Sequence, residues 1–168
     1  MTTQELLQRA KGAKSAMGLA DTETKNRALL AMADALMDNV QPILTANGLD
    51  LIEAKGTVSN VMLDRLALSE ERIFGMAQGV REVAALPDPA GAVLRREERP
   101  NGLVIEKTAV PMGVVAIIYE SRPNVTSDAA ALTLKAGSAC VLRCGKEAHR
   151  SAAVIVSALR EGLAAVGL

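Results

Sequence analysis

Aromatic side chains are almost missing from this sequence of 168 residues, which contains one Tyr, one Phe and no Trp. Surfaces that bind single-stranded nucleic acid commonly stack bases on aromatic rings, so this scarcity argues against such a surface. An excess of charge of one sign is missing as well, because 19 Lys and Arg residues balance 19 Asp and Glu residues. A balanced chain lacks the field that draws proteins to DNA or to anionic membranes. We therefore expect no nucleic-acid partner.

Long apolar runs and a disulfide framework are also absent. No apolar run approaches the roughly 18 residues that a membrane span requires. The first residues, "MTTQELLQRAKGAK", have the pattern of an amphipathic helix and not of a signal peptide. Cys140 and Cys144 would lie about 13 Å apart on one strand, too far for a disulfide bond. These features predict a cytoplasmic protein that makes no membrane contact.

The first part of the chain, residues 1–86, has the spacing of helices. Thr2 and Glu5 have the spacing of a capping box, and Asp21 or Thr22 can cap a second helix. Apolar residues then recur every three to four positions, as on the buried face of a helix. The positions expected to be buried in the second helix and in the last long helix are Leu29, Ala33, Leu36, Met37 and Val40, and Ile73, Ala77, Val80 and Ala84.

The period changes in the second part of the chain. Residues 92–110 alternate in the manner of a hairpin around an Asn-Gly pair, and their charges predict an exposed ribbon. Residues 113–168 contain two apolar runs, each followed by a helical pattern. Continuous apolarity at 114–119 and 138–143 predicts strands of a parallel sheet, buried on both faces. The order is therefore a βαβα unit, for which a right-handed crossover is expected.

Polar side chains follow both predicted strands at the points where they end. Arg122 and Asn124 come after the first strand, and Arg143 and Lys146 come after the second. Ligands of open parallel sheets bind beyond the carboxyl ends of the strands, and a following helix N-terminus favours anions. One interpretation is an anion site. The other is that these residues only start helices and lie in solvent, and the residues alone favour neither.

Three more specific motifs do not match this sequence. "GSACVLRCGKE" superficially has the form of a P-loop, but Cys140 stands at its first glycine position and Glu147 at its Ser/Thr position. The glycine triad of the common dinucleotide fingerprint does not follow the first strand. Cys140, Cys144 and His149 are more typical of a core thiol, a loop thiol and a surface histidine than of a metal site. We therefore expect no metal.

Two stretches, "VPMGVVAIIYESRPNVTSDAAALTLKAGSACVLRCGKEA" and "MLDRLALSEERI", resemble the gamma-glutamyl phosphate reductase family of the aldehyde dehydrogenase superfamily. The segments "YESRPNVT" and "LRCGKEA" carry most of that resemblance. It implies an α/β fold with N-terminal helices, an exposed hairpin and the first βαβα half of a Rossmann-like sheet that lacks the glycine triad. It also implies the NADPH-dependent reduction of L-glutamyl 5-phosphate to L-glutamate 5-semialdehyde and phosphate, a step of proline biosynthesis.

The same resemblance implies roles for the polar residues at the strand ends. Asn124 resembles the superfamily's oxyanion asparagine, and Arg122 is its neighbour and a candidate for substrate binding; one sequence does not fix the register between them. Arg143 stands where the superfamily usually has a lysine that contacts the adenosine ribose. With Lys146, it is a candidate for binding the 2′-phosphate of NADPH.

Two departures from the family pattern qualify these expectations. Family members usually have glycine at the position of Cys144, and they are much longer than 168 residues. We expect residues 1–168 to be the N-terminal part of the nucleotide-binding domain, inactive alone because the family's nucleophilic cysteine lies in a later domain. The alternative is a non-catalytic nucleotide-binding or structural half-domain. An uncovered sheet edge would favour self-association, so a homo-oligomer is expected.

Overall fold

The computed structural model describes residues 2–168, which form seven α-helices and four strands in the predicted order. The helices are α1 Thr3–Leu19, α2 Thr22–Asp38, α3 Val40–Ala54, α4 Asn60–Leu66, α5 Glu70–Ala85, α6 Asn124–Lys135 and α7 His149–Ala165. The strands are β1 Val93–Glu98, β2 Val104–Thr108, β3 Val114–Ile118 and β4 Ala139–Arg143. A short 3-10 turn, Lys146–Ala148, leads from β4 into α7. Among these residues no helix is both long and apolar enough to cross a bilayer.

Local capping signals place the starts of the helices. The Thr2 amide donates to Glu5 Oε2 at 2.7 Å and the Glu5 amide donates to Thr2 Oγ1 at 3.2 Å, which completes the predicted capping box. Of the two candidates for the second helix, Asp21 is the cap, because its carboxylate accepts a hydrogen bond from the Thr24 amide at 2.8 Å. Side-chain oxygens thus satisfy amides that a helix start leaves unpaired.

The boundary between α2 and α3 differs from the prediction. Val40 was expected on the buried face of α2, but that helix ends at Asp38 and Val40 is the first residue of α3. A continuous helix would need an amide at position 42 to bond to the carbonyl of Asp38, and Pro42 has none. The proline is tolerated in the first turn of a new helix, so the chain changes direction at Asn39.

The hydrophobic core forms around α2, which packs against both α5 and α7. All four apolar positions predicted for the last helix of the first part are buried. The approach of α2 to α7 is very close at Gly162, where a Cβ atom would lie 2.6 Å from the carbonyl oxygen of Ala31. Large side chains of this core include Leu29, Met32, Leu36, Ile43, Ile73, Val80, Ile155 and Leu159.

Two buried lysines hold neighbouring segments to α2. Lys25 Nζ pairs with the carboxylate of Asp88 at 2.5 Å, and both side chains are largely removed from solvent. Lys135 Nζ donates to Asn26 Oδ1 at 2.6 Å and to the Ala84 carbonyl at 2.8 Å. The chain that leads into the hairpin is therefore held to α2, while α6 is held to α2 and α5.

The Asp88 pair makes stability depend on pH at the acid end. Burial opposes ionisation of this carboxyl, but hydrogen bonds from Lys25 and Thr22 outweigh it and keep the pKa of Asp88 below 3.8. The contribution is therefore fully present above pH 3.8 and is lost as pH falls through the folded-state pKa. We expect Asp88→Asn to lower the free energy of unfolding by roughly 1–3 kcal/mol at neutral pH. Urea unfolding of both proteins from pH 7 downward should show this difference shrinking below pH 3.8; a constant difference would contradict it.

The hairpin extends into solvent, as its charges predicted. Strands β1 and β2 pair antiparallel from Val93 with Thr108 to Glu98 with Val104, and nearly every strand residue is exposed. The Asn-Gly pair does mark the turn, but of the two residues only Gly102 has a positive φ, of 82°. Its amide donates to the Arg99 carbonyl at 2.9 Å. A two-residue type I′ turn would need positive φ at both positions, so the strands are instead joined by a longer loop in which Gly102 takes the one positive φ.

Strands β3 and β4 form the predicted parallel pair, joined through α6, in register from Val114 with Ala139 to Ile118 with Arg143. The prediction that β3 is buried on both faces is wrong, because its residues alternate between exposed and partly buried and Ile118 is 83% exposed. The α1 and α6 helices pack against β4. Within residues 2–168 no further strand pairs with β3, so one of its edges is unpaired.

Candidate functional site

The carboxyl ends of β3 and β4 lie side by side, and the two loops that follow them are joined. The Tyr119 amide donates to the Arg143 carbonyl at 3.0 Å, and Ser121 Oγ donates to Glu147 Oε2 at 2.6 Å. A Cβ atom at Gly145 would lie 2.1 Å from Ser121 Oγ and 3.1 Å from the Ser121 amide nitrogen, so alanine there would displace the Ser121 hydroxyl. The prediction that both strand ends meet at one edge of the sheet is confirmed.

The loop after β3 leads into a cleft of about 460 Å³ between the α4–α5 region and the start of α6. Asn124 is the first residue of α6, and its Nδ2 lies 3.5 Å from Asp128 Oδ2 one turn further along. Burial raises the pKa of Asp128, although the contact from Asn124 and the charge of Arg122 oppose that shift. The charged and amide side chains lining the cleft are Asp64, Arg65, Arg72, Arg122, Asn124 and Asp128.

Sequence reasoning did not identify the α4–α5 side of this cleft. No motif in the sequence distinguishes Asp64, Arg65 or Arg72 from the residues of an ordinary solvated helix face. Arg72 has a structural role, because its Nη1 donates to the carbonyls of Asp64 and Ala67 at 2.5 and 2.7 Å. The segment "MLDRLALSEERI" contains these residues and carries part of the family resemblance. It does not show which way their side chains point.

The loop after β4 places Arg143 and Lys146 in solvent, away from the cleft that holds Asn124. Arg143 is the last residue of β4, and Lys146 lines a second, smaller cleft of about 190 Å³ beside α3. The sequence therefore placed two basic residues correctly at the strand end. They are separated in the structure from the cleft that contains Arg122 and Asn124.

The start of α7 is already paired with an internal carboxylate. Asp50, fully buried in α3, accepts hydrogen bonds from the Ser151 amide at 2.8 Å, from Ser151 Oγ at 2.7 Å and from the Arg150 amide at 3.4 Å. The anion-site argument from this helix N-terminus relied on amides of this kind being free. A phosphate near Arg143 and Lys146 would therefore depend on their side chains.

Neither cysteine has the environment of an activated nucleophile. Burial raises the pKa of the Cys140 thiol within β4 and of the Cys144 thiol just after it. Reactive cysteines instead have lowered pKa values, since the thiolate is the nucleophile. In residues 2–168, the His, Cys, Asp and Glu side chains form no group of three that could hold a metal ion.

The arrangement is shared with aldehyde dehydrogenases. No model of a known protein family matches the chain. Among solved structures, a probable aldehyde dehydrogenase from Listeria monocytogenes superposes with a TM-score of 0.72 at 14% identity, over 98% of this chain and 34% of its own. At that identity the likeness concerns the fold alone. The helical layer, the hairpin and the parallel strand pair thus define part of an aldehyde dehydrogenase-type fold.

The similarity is higher to solved and curated gamma-glutamyl phosphate reductases. Gamma-glutamyl phosphate reductase from Thermotoga maritima superposes with a TM-score of 0.93 at 39% identity, over 96% of this chain. The gamma-glutamyl phosphate reductase from Saccharomyces cerevisiae superposes with a TM-score of 0.90 at 33% identity, over 98% of this chain and 42% of its own. The gamma-glutamyl phosphate reductase of Streptococcus pneumoniae strain Hungary19A-6 is 56% identical over 163 residues, 97% of this chain. Over the part that it spans, the chain is similar in sequence and in fold to gamma-glutamyl phosphate reductases. It covers 39% of the length of that curated relative and 39% of the Thermotoga chain.

Proposed function

We propose that this chain is part of a reductase that converts L-glutamyl 5-phosphate to L-glutamate 5-semialdehyde and phosphate in proline biosynthesis. In that reaction a hydride replaces the phosphate group at the acyl carbon, and NADPH supplies the hydride when bound. The 56% identity to a gamma-glutamyl phosphate reductase over 97% of the chain supports the activity. The observation that carries the site is the joining of the two loops at the carboxyl ends of β3 and β4 through Ser121 and Glu147. The compartment that fits such a biosynthetic enzyme is the cytoplasm.

The loop after β3 is the proposed reaction side. Asn124 would donate its side-chain amide to the oxygen on which negative charge develops, and Arg122 beside it would bind substrate. Preorganised donors of this kind commonly supply the largest part of transition-state stabilisation. Both residues line the cleft of about 460 Å³, which supports a common role. The nucleophile would come from outside residues 2–168, since burial raises the pKa of both cysteine thiols described; on this proposal the 168-residue chain alone is inactive.

The loop after β4 is the proposed cofactor side. Arg143 and Lys146 are exposed cations at one strand end, a suitable pair of donors for the 2′-phosphate of NADPH. We expect Arg143→Ala or Lys146→Ala, in a full-length reductase carrying this sequence, to raise the Michaelis constant for NADPH roughly ten- to hundredfold. The constant for NADH, which lacks that phosphate, should change much less. Steady-state kinetics with both cofactors measures the difference.

The matched control for this experiment is Lys11→Ala, which removes an exposed cation from α1. It should leave both constants unchanged. If the Arg143 and Lys146 variants show equal, small effects on NADPH and NADH, these residues only solvate a loop and the proposed role is wrong.

A homo-oligomer is the proposed assembly. The β1–β2 ribbon and the uncovered side of β3 expose apolar side chains that a partner would bury, among them Leu94, Ile105, Met112 and Ile118. We expect the 168-residue chain to self-associate, with a sedimentation coefficient that rises with concentration. Replacing Leu94 and Ile105 by Asp should shift the distribution towards monomer. A monomer at all concentrations tested would contradict the proposal.

A further inference from the structure

Two arginines from distant parts of the chain converge on one carboxylate beside the larger cleft. Arg65 Nη1, from the last turn of α4, lies 3.6 Å from Glu120 Oε2. Arg122 Nη1, from the loop after β3, lies 3.7 Å from Glu120 Oε1. Each oxygen of the carboxylate thus faces a different guanidinium group. The two arginines are spaced to hold one carboxylate between them.

Glu120 is a replaceable occupant of this position. The side chains of Arg65, Arg122 and Glu120 are 49%, 46% and 53% exposed. Ion pairs as open as these contribute little, because water screens the charges and long side chains lose rotamer freedom. A carboxylate that also contacts the walls of the cleft can therefore displace that of Glu120 at small cost.

The rest of the cleft limits which ligand fits. Arg72 donates to the carbonyls of Asp64 and Ala67 and is committed to holding the α4–α5 connection. Asp128 adds an exposed carboxylate to the lining. A site with two available cations and a nearby carboxylate matches a zwitterion better than a phosphate dianion, which Asp128 would repel.

We propose that Arg65 and Arg122 form a clamp for the α-carboxylate of an amino-acid substrate, with Asp128 accepting its α-ammonium group. Glu120 holds the clamp in the absence of substrate and is displaced when substrate binds. This assignment rests on the proposed function, and it places the head group of a glutamate-type substrate in the cleft that also contains Asn124. Arg65 and Asp128 thereby become determinants of substrate specificity.

The probe for a direct test is L-glutamine, which has the same α-amino-acid head group and carries no phosphate. Titrated into the isotopically labelled 168-residue chain, it should cause saturable amide shifts in residues 64–68 and 120–128. Arg65→Ala and Arg122→Ala should each raise the dissociation constant roughly ten- to hundredfold. Arg81→Ala is the matched control, because Arg81 pairs with Asp34 away from the cleft and its loss should change nothing.

Two further variants separate a clamp from a merely structural cluster. Glu120→Gln removes the internal competitor and should tighten glutamine binding roughly two- to fivefold. Asp128→Asn should weaken binding of L-glutamine but leave unchanged that of its analogue without the amino group. Amide spectra that retain their dispersion would show that each variant is folded.

Several outcomes would overturn the clamp. These are no saturable shift with L-glutamine, equal effects of the Arg65 and Arg81 variants, or no tightening by Glu120→Gln. Saturable binding of inorganic phosphate that Arg65→Ala abolishes would also overturn it, since the clamp would then hold the phosphate. A full-length reductase with an unchanged Michaelis constant after Arg65→Ala would defeat the clamp alone. Intact glutamine binding without any reductase activity would defeat the proposed function alone.

Discussion

Replacing Gly162 by alanine should destabilise the chain by about 2–4 kcal/mol, more than its size suggests. The added Cβ would lie 2.6 Å from the Ala31 carbonyl oxygen and 2.7 Å from Met32 Cα, both of them backbone atoms of α2. Backbone cannot rotate out of the way as a side chain can, so α2 and α7 would have to separate. Because α2 lies at the centre of the core, its contacts with α5 would also loosen. Urea unfolding followed by circular dichroism measures the loss.

The control for this substitution is Gly79→Ala in α5, the other helix packed against α2. A Cβ atom at Gly79 meets nothing within 4 Å. There, alanine only lowers the conformational freedom of the unfolded chain, so we expect it to stabilise the protein by about 0.5–1 kcal/mol. The two identical chemical changes should therefore have opposite signs. A neutral or stabilising Gly162→Ala would mean that α2 and α7 lie further apart than the structure shows.

The second large effect is expected at Asp50, a residue of α3 whose carboxylate caps the N-terminus of α7. Asp50→Ala removes the acceptor of the buried Ser151 amide and hydroxyl and of the partly buried Arg150 amide. Loss of a helix cap costs about 1 kcal/mol, and each buried donor left unpaired costs about 1–3 kcal/mol more. With the lower figure for the two donors of Ser151, the free energy of unfolding should fall by at least about 3 kcal/mol in the same experiment, and Asp50→Asn should fall in between.

Glu53 provides the matched control, because it is an acid of the same helix that pairs with the same arginine. Its Oε2 lies 2.6 Å from Arg150 Nη1, closer than the 3.3 Å from Asp50 Oδ1. The Glu53 side chain is 70% exposed and that of Asp50 is fully buried. Exposed pairs contribute about 0–1 kcal/mol, so Glu53→Ala should cost no more than that. Equal costs at the two positions would refute the assigned role of Asp50.

Asp50 also connects the loop after β4 to the α4–α5 side of the larger cleft. Ser151, which donates to Asp50, accepts a hydrogen bond from Asn47 Nδ2 at 3.1 Å. The same Asn47 amide donates to the Leu66 carbonyl, and its oxygen accepts from the Leu68 amide. The buried network therefore runs from the start of α7, after the β4 loop, to the α4–α5 connection that lines the cleft. A change at Asp50 should disturb both sides.

The sequence by itself determined the features that depend on neighbours within about four residues. Three helices start at side-chain caps, each of which accepts a hydrogen bond from an amide three residues further along the chain. These caps are Thr2, Asp21 and Ser69. Pro42 separates α2 from α3 for an equally local reason. The segments "YESRPNVT" and "LRCGKEA" indicated the family, and the two apolar runs indicated the parallel strand pair that is observed.

Only the tertiary structure decided which distant groups meet. Asp50 and Ser151 form a hydrogen bond although they are 101 positions apart in the chain. Gly162 requires glycine only because α2 passes against it, and Arg65 faces Glu120 only because α4 lies beside the end of β3. Periodicity tells which face of a helix is buried but not which element covers it. The burial of β3 was misjudged for the same reason, since an apolar run shows what a strand can bury, whereas the neighbouring elements decide whether it is covered.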